Sequence, residues 1–502
     1  MVPLDPTSKP IDHVLRGAGD AVALIDRAGP WTFDDVETAI GAVANWLAGL
    51  GLVRGDRVAS WLPKTRLACV LPLAAPRAGL VHVPINPALR RAQVAHILSD
   101  SGAAMLITQP TRSATLEASD VPPACGIALE GDVPMAGEGI SPSSADPGSL
   151  AAILYTSGST GLPKGVMLSH ANLWLGAVSV AHYLGLDPTD RVLCVLPLSF
   201  DYGQNQLLSA WVSGASVAPI DYLTPRDVVK AVERFEATTL AGVPPLWTQL
   251  LDAAWPDATA GRLRRLTNSG GALTPRLVRE LRARFPHADV YAMYGLTEAF
   301  RSTYLEPALI DRHPESMGRA IPFAEVMAVA ADGSRAIGVP GELVHAGPLV
   351  AQGYWHDPER TSARFRPAPE FAINRGMAVW SGDMVIEGED GLFRFVGRDD
   401  EMIKSSGNRI SPLEIEEAVM AGGEVREAVA IGVPDLRLGQ AIVVAVAGDA
   451  AHEEALRARL RVSLPSFMQP ARFDWHDALP RNPNGKLDRA AIRTAVMVEV
   501  AA

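Results

Sequence analysis

Short apolar runs alternate along this chain with stretches in which apolar positions recur at helical spacing. Val36 to Leu50 has the helical period, and Arg57 to Leu62 reads as the strand that follows it. Leu80 to Pro87 (LVHVPINP) is a second buried strand that leaves through a proline-punctuated turn, with His82 as a core residue rather than a ligand. Leu150 to Tyr155 (LAAILY) is a third, and Ser169 is placed to cap a helix beginning near Ala171. Leu193 to Leu198 (LCVLPL) and the run from Leu266 into the paired glycines Gly270 and Gly271 read as further strands. Residues 111–149 are weakly patterned and close in a Ser/Pro/Gly-rich linker. The alternation is that of an α/β protein.

Composition narrows the class. The 502 residues give length for roughly two to four domains. With 48% hydrophobic and 20% charged residues the chain reads as a globular enzyme rather than a disordered or fibrous protein. A net charge of -11 argues against nucleic acid as a partner, since backbone binding needs clustered Lys and Arg. An anionic substrate must therefore meet local positive charge. The start, MVPLDPTSKP, lacks the basic-then-apolar pattern of a signal peptide, and no apolar run reaches the ~18 residues of a membrane span, so a cytoplasmic location is expected. Cys69, Cys125 and Cys194 are far apart, form no CxxC, and are expected to be buried thiols in a reducing compartment.

Chemistry enters at the loop after Leu150–Tyr155. Thr156, Ser157, Gly158, Ser159, Thr160 and Gly161 place four hydroxyls and two glycines in six residues, so small donors and bare backbone can face an anion. That composition suits a polyphosphate. Pro163 and Lys164 close the loop. It is not a Walker loop, because Pro163 stands where a glycine is required and Gly165 leaves no hydroxyl for magnesium. The full string, LYTSGSTGLPKG, resembles the signature of AMP-forming adenylating enzymes, the superfamily of acyl-CoA synthetases, nonribosomal peptide adenylation domains and luciferases. The likeness extends from near Trp31 to Arg489.

The resemblance implies roles, residue by residue. The loop residues and Lys164 would bind the ATP phosphates, and Gly270, Gly271 and Ala272 would line adenine. In DVYAMYGLTEAF, Tyr294 resembles the ring stacked on adenine, Thr297 the hydroxyl on phosphate, and Glu298 the carboxylate that holds Mg²⁺. Ala292 stands where many relatives carry an amide for the adenine amino group, so base recognition must come from backbone or another side chain. Asp383 and Arg398 match the ribose contacts. Phe200, Asp201, Asn205, Val243, Trp247 and Arg301 fall where relatives line the acyl pocket. Asp201 matches the aspartate that holds the ammonium of amino-acid substrates, Trp247 is read equally as pocket floor or as core, and Arg301 is read first as the internal ion-pair partner of Asp201 and second as a contact for another anionic group on the substrate.

The resemblance also implies a large, multi-subdomain N-terminal domain with mixed sheets, residues 1–399, and a small mobile α+β C-terminal domain, residues 400–502, turning about Asp400. Gly407 would lie along the thiol tunnel, and Lys486 would be the catalytic lysine carried in by the small domain. The expected reaction is activation of a small carboxylic acid by ATP to an acyl-adenylate, then transfer to the thiol of coenzyme A. LPLSFDYGQNQ with YGLTEAFRSTYL looks most like a bacterial acyl-CoA ligase subgroup that includes members associated with exosortase systems. The alternative, motivated by Asp201, is a stand-alone amino-acid adenylating enzyme that loads a phosphopantetheinyl carrier protein. A non-catalytic nucleotide-binding regulator is disfavoured by Lys486, Glu298 and Asp383, and a nicotinamide dehydrogenase by the lack of GxGxxG after an early strand.

Overall fold

The computed structural model describes residues 2–156, 163–271, 273, 275–398, 403–410, 412–480 and 487–501. Among them the strands form three sheets, of six, fourteen and five strands. The architecture is mixed α/β, with a large N-terminal part and a smaller C-terminal one.

In the six-stranded sheet, Gly126–Leu129, Ala103–Thr108, Arg57–Trp61, Val81–Pro84 and Leu150–Thr156 run parallel. Strands covered on both faces should be apolar throughout. Val81–Pro84 is accordingly buried at every position. His82 sits there with its Nε2 2.9 Å from Ser60 Oγ, and burial pushes its pKa down to about 3, so it is a neutral core residue. Lys164–Ser169 closes the sheet as an antiparallel partner of Leu150–Thr156, pairing Thr156 with Lys164 and Tyr155 with Gly165. The ends of the hydroxyl-rich loop are thereby pinned side by side. The next helix runs His170–Tyr183, one residue earlier than expected, with Ser169 Oγ accepting from the Asn172 N–H.

Five strands of the largest sheet, Ser216–Pro219, Arg191–Cys194, Thr239–Gly242, Arg265–Asn268 and Asp289–Tyr294, are also parallel, so their carboxyl ends lie along one edge. In open α/β sheets that edge is where ligands bind. Four of the sequence segments singled out above leave these strand ends: Val195–Asp201, Val243, Ser269–Gly271 and Gly295–Arg301. The strand expected over Leu193 to Leu198 stops at Cys194. Pro197 has no N–H for a ladder, and its carbonyl lies so close to Gly203 that an added Cβ would stand 1.9 Å away. The chain turns there into the helix Asp201–Val212.

The C-terminal part has its own sheet and apolar clusters. Val425–Asp435 and Gly439–Gly448 form a long antiparallel pair, Arg472–His476 runs parallel to the second, and the small hairpin Ile403–Ser405/Asn408–Ile410 joins at Gly439. Ile403, Ile415, Val444 and Leu456 pack on one side and Val429, Val443 and Ile492 on the other. Residues 111–149 are mostly irregular, as their pattern predicts, apart from short elements that include the edge strand Gly126–Leu129. All three cysteines are free and buried. No helix among the described residues is long and apolar enough to cross a membrane.

Candidate active site

A cavity of about 440 Å³ opens between the parallel strand ends, the hairpin Leu150–Ser169 and the C-terminal part. Tyr155, Thr156, Pro163 and Lys164 border it from the hairpin. Phe200, Asp201, Val243, Gly270, Thr297, Glu298 and Arg301 border it from the strand ends. Ser406, Gly407, Asn408 and Glu414 close it from the C-terminal side. Residues 157–161, Ala272, Asp400 and Lys486, which the sequence assigns to phosphate, adenine, hinge and catalysis, lie outside the described residues.

Glu298 is 3% exposed and receives Tyr354 Oη at 2.6 Å. Lys164 Nζ lies 3.3 Å from the same carboxylate and 2.8 Å from Tyr354 Oη. A buried carboxylate is costly unless paired, and here a cation and a hydroxyl meet it. Asp383, 5% exposed, accepts from the Tyr294 hydroxyl and faces Arg398 across the Met377–Glu387/Phe393–Arg398 ladder. The side chain of Arg398 is not described. Arg364 stands among these groups. Burial works against its charge, and the neighbouring Glu298, Tyr354 and Asp383 outweigh it, raising its pKa above the ordinary value.

Asp201 begins its helix, where the backbone N–H groups favour negative charge. It accepts from Thr297 Oγ1 at 3.3 Å. Burial pushes its carboxyl pKa up, offset in part by the charge of Arg301 and by hydrogen bonds from the Tyr202 backbone and Thr297. The expected ion pair with Arg301 is not formed. Arg301 donates instead from Nη1 to Ser269 Oγ at 2.9 Å and lies over the Tyr202 ring, 4.5 Å from its centroid. Asp201 is drawn off by Thr297, on the strand-end loop, while Ser269 and Tyr202 hold the guanidinium.

Trp247 is core rather than pocket floor. It is fully buried in the apolar cluster with Leu240, Leu266 and Phe285, and a Cβ on Gly242 would lie 2.6 Å from its Cε2. Asn205, 2% exposed, borders not the main cavity but a recess of about 20 Å³ behind Tyr202 and Arg301. Gly270 takes φ +78° at the cavity edge, and Asn268 Nδ2 donates to the Gly271 carbonyl at 2.9 Å. Gly407, at φ +77°, approaches Val243 so closely that a Cβ would stand 2.7 Å from its Cγ2. Sequence reasoning missed Tyr354, Arg364, Ser269 and Glu414. Tyr354 sits in a Gly-Tyr-Trp turn with no local chemical signal, and each of the four acquires its place only through partners distant in the chain.

A family model described as AMP-binding enzyme matches residues 11–355, and one described as AMP-binding enzyme C-terminal domain matches residues 414–486. The chain belongs to the AMP-binding enzyme family. This AMP-binding enzyme spans only 6% and 9% of linear gramicidin synthase subunits C and D of Brevibacillus parabrevis, each of which it matches at 32% identity. It is 30% identical to the L-proline--[L-prolyl-carrier protein] ligase of Pseudomonas fluorescens, over 96% of this chain and 98% of that one. It is also 30% identical to the benzoate--CoA ligase of Thauera aromatica, over 96% and 94% of the two chains. The amide bond synthetase McbA of Marinactinospora thermotolerans superposes at a TM-score of 0.85 and 26% identity, covering 97% of this chain and 100% of that one.

Proposed function

We propose that this AMP-binding enzyme is an AMP-forming carboxylate–CoA ligase. An oxygen of the substrate carboxylate attacks the α-phosphorus of ATP, pyrophosphate leaves, and the acyl-adenylate remains bound. The thiol of coenzyme A then attacks the adenylate carbonyl, the bond to AMP breaks, and the thioester forms. The observation that carries this reading is the shared cavity: Thr156, Lys164 and Glu298, Asp201, and Gly407 of the C-terminal hairpin all border one space. Phosphate-binding, acyl-binding and thiol-path residues are thus in reach of a single reacting carbon.

In this reading residues 1–399 bind ATP and the acid, and residues 400–502 turn about Asp400. Thr156, Ser157, Gly158, Ser159, Thr160, Gly161 and Lys164 hold phosphate. Gly270, Gly271, Ala272 and Tyr294 border adenine, and Asp383 and Arg398 take the ribose hydroxyls. Thr297 and Lys486 stabilise charge developing on the α-phosphate and the carboxylate. Glu298 already meets a cation, Lys164. The buried Glu298 carboxylate is a hard-oxygen donor that would hold Mg²⁺ with phosphate and water oxygens. When bound, the ion neutralises the phosphate oxygens.

A second reading, an amino-acid ligase for a carrier protein, is favoured by Asp201 bordering the cavity and by the prolyl-carrier protein ligase among the relatives. ATP–pyrophosphate exchange across a panel of carboxylic and amino acids tests both, followed by coenzyme A or a phosphopantetheinylated carrier protein as acceptor. Acid-dependent exchange with thioester formation on coenzyme A is expected. Thioester on the carrier alone replaces the first reading with the second, and exchange with no acid removes both.

A further inference from the structure

Arg301 is 2% exposed, and no ion pair among the described residues joins it to a carboxylate. Among the described residues its one hydrogen bond is the neutral contact to Ser269 Oγ, and its Nε has no partner there. A guanidinium carries five donors, and burying one without an anion is costly. The ring of Tyr202 offsets part of that cost and cannot accept the remaining donors in the guanidinium plane. Asp201, whose carboxyl feels the charge of Arg301, spends its contact on Thr297.

Arg301 borders the main cavity on one side and the small recess on the other. An alkyl chain ending against Arg301 would leave its remaining donors unsatisfied, at a desolvation cost. The planar fork of an arginine instead fits a carboxylate through two parallel hydrogen bonds. We propose that the substrate of this enzyme carries a second carboxylate and that Arg301 is the residue that binds it, deepening the ligase reading above, on which it rests. The substrate class is then a dicarboxylic acid, with or without an amino group for Asp201, rather than a fatty or simple aromatic acid.

The test is acid-dependent ATP–pyrophosphate exchange by the full chain with matched pairs: glutarate against pentanoate, phthalate against benzoate, L-glutamate against L-glutamine. In at least one pair the diacid is expected to exceed its partner by about 10²-fold in kcat/KM, because the neutral member leaves Arg301 unpaired. Arg301→Met should remove that preference, chiefly through KM for the diacid. Arg301→Lys, which keeps the charge and loses the fork, should retain part of it. If Arg301→Met does not fold, an unchanged ratio in Arg301→Lys overturns the inference. A wild-type preference for the neutral acid in every pair, or a ratio indifferent to both substitutions, also overturns it while leaving the ligase reading intact. Exchange with no acid of either series removes the ligase reading and this inference together.

Discussion

Tyr354 joins two side chains that stand 134 positions apart in the chain, Lys164 and Glu298. Its hydroxyl donates to the Glu298 carboxylate at 2.6 Å and accepts from the Lys164 ammonium at 2.8 Å, so it fixes where both charges point. Hydrogen bonds to charged groups contribute more than neutral ones. Tyr354→Phe should therefore lower the rate of ATP–pyrophosphate exchange by about 10-fold with little change in the KM for acid, and an unaltered rate would show that the hydroxyl does not position Glu298. Lys486→Ala should cut adenylate formation by about 10² to 10³-fold while thioester formation from supplied acyl-adenylate survives, and an equal loss in both steps would reassign the lysine. At this scale the sequence made identity legible and pairing illegible. Asp201 and Arg301 are oppositely charged and near each other, and it was the competing Ser269 hydroxyl and Tyr202 ring that kept them from pairing.

The hairpin Ile403–Ser405/Asn408–Ile410 shows what an element contributes beyond its residues. Its turn places Gly407 at φ +77°, a conformation costly for a residue with a side chain, and presses the Cα toward Val243. A leucine there would meet both penalties. Gly407→Leu should spare acid-dependent pyrophosphate release and slow thioester formation, as read by separate assays of the two half-reactions; an unaffected second step would remove the thiol-path assignment. Periodicity and capping locate most elements, among them the strands Arg57–Trp61, Val81–Pro84 and Leu150–Thr156, the Ser169 cap and the weakly patterned 111–149 segment. The strand expected over Leu193 to Leu198 ends at Cys194, and beyond it the Pro197 carbonyl lies against Gly203, a contact no apolar pattern contains.

Across the whole molecule, Gln93 of the N-terminal part donates to Glu414 of the C-terminal part at 2.8 Å, on the rim of the shared cavity. Burial pushes the Glu414 pKa up to about 7, against the opposing effect of the Gln93 hydrogen bond and with that of Glu417. An acid with a raised pKa binds its proton more readily in this docked arrangement than when released to solvent. Docking is therefore favoured below the ordinary glutamate value, weakens as pH rises toward about 7, and carries its full penalty above it. Glu414→Gln should flatten that dependence, measured as the ratio of thioester-forming to adenylate-forming rates between about pH 5 and 8. A ratio with the same pH profile in both proteins would exclude Glu414 as its source.

The sequence by itself determined the alternation that builds parallel sheets, the hydroxyl-rich loop between a strand and its partner, and the chemical identity of the residues at the site, because each is written in local spacing. Only the tertiary structure decided which of them meet. Tyr354 with Glu298, Ser269 with Arg301, Gly407 with Val243 and Trp247 with the core are contacts between segments far apart in the chain, and their selection depends on packing and on competition among partners that no local pattern encodes.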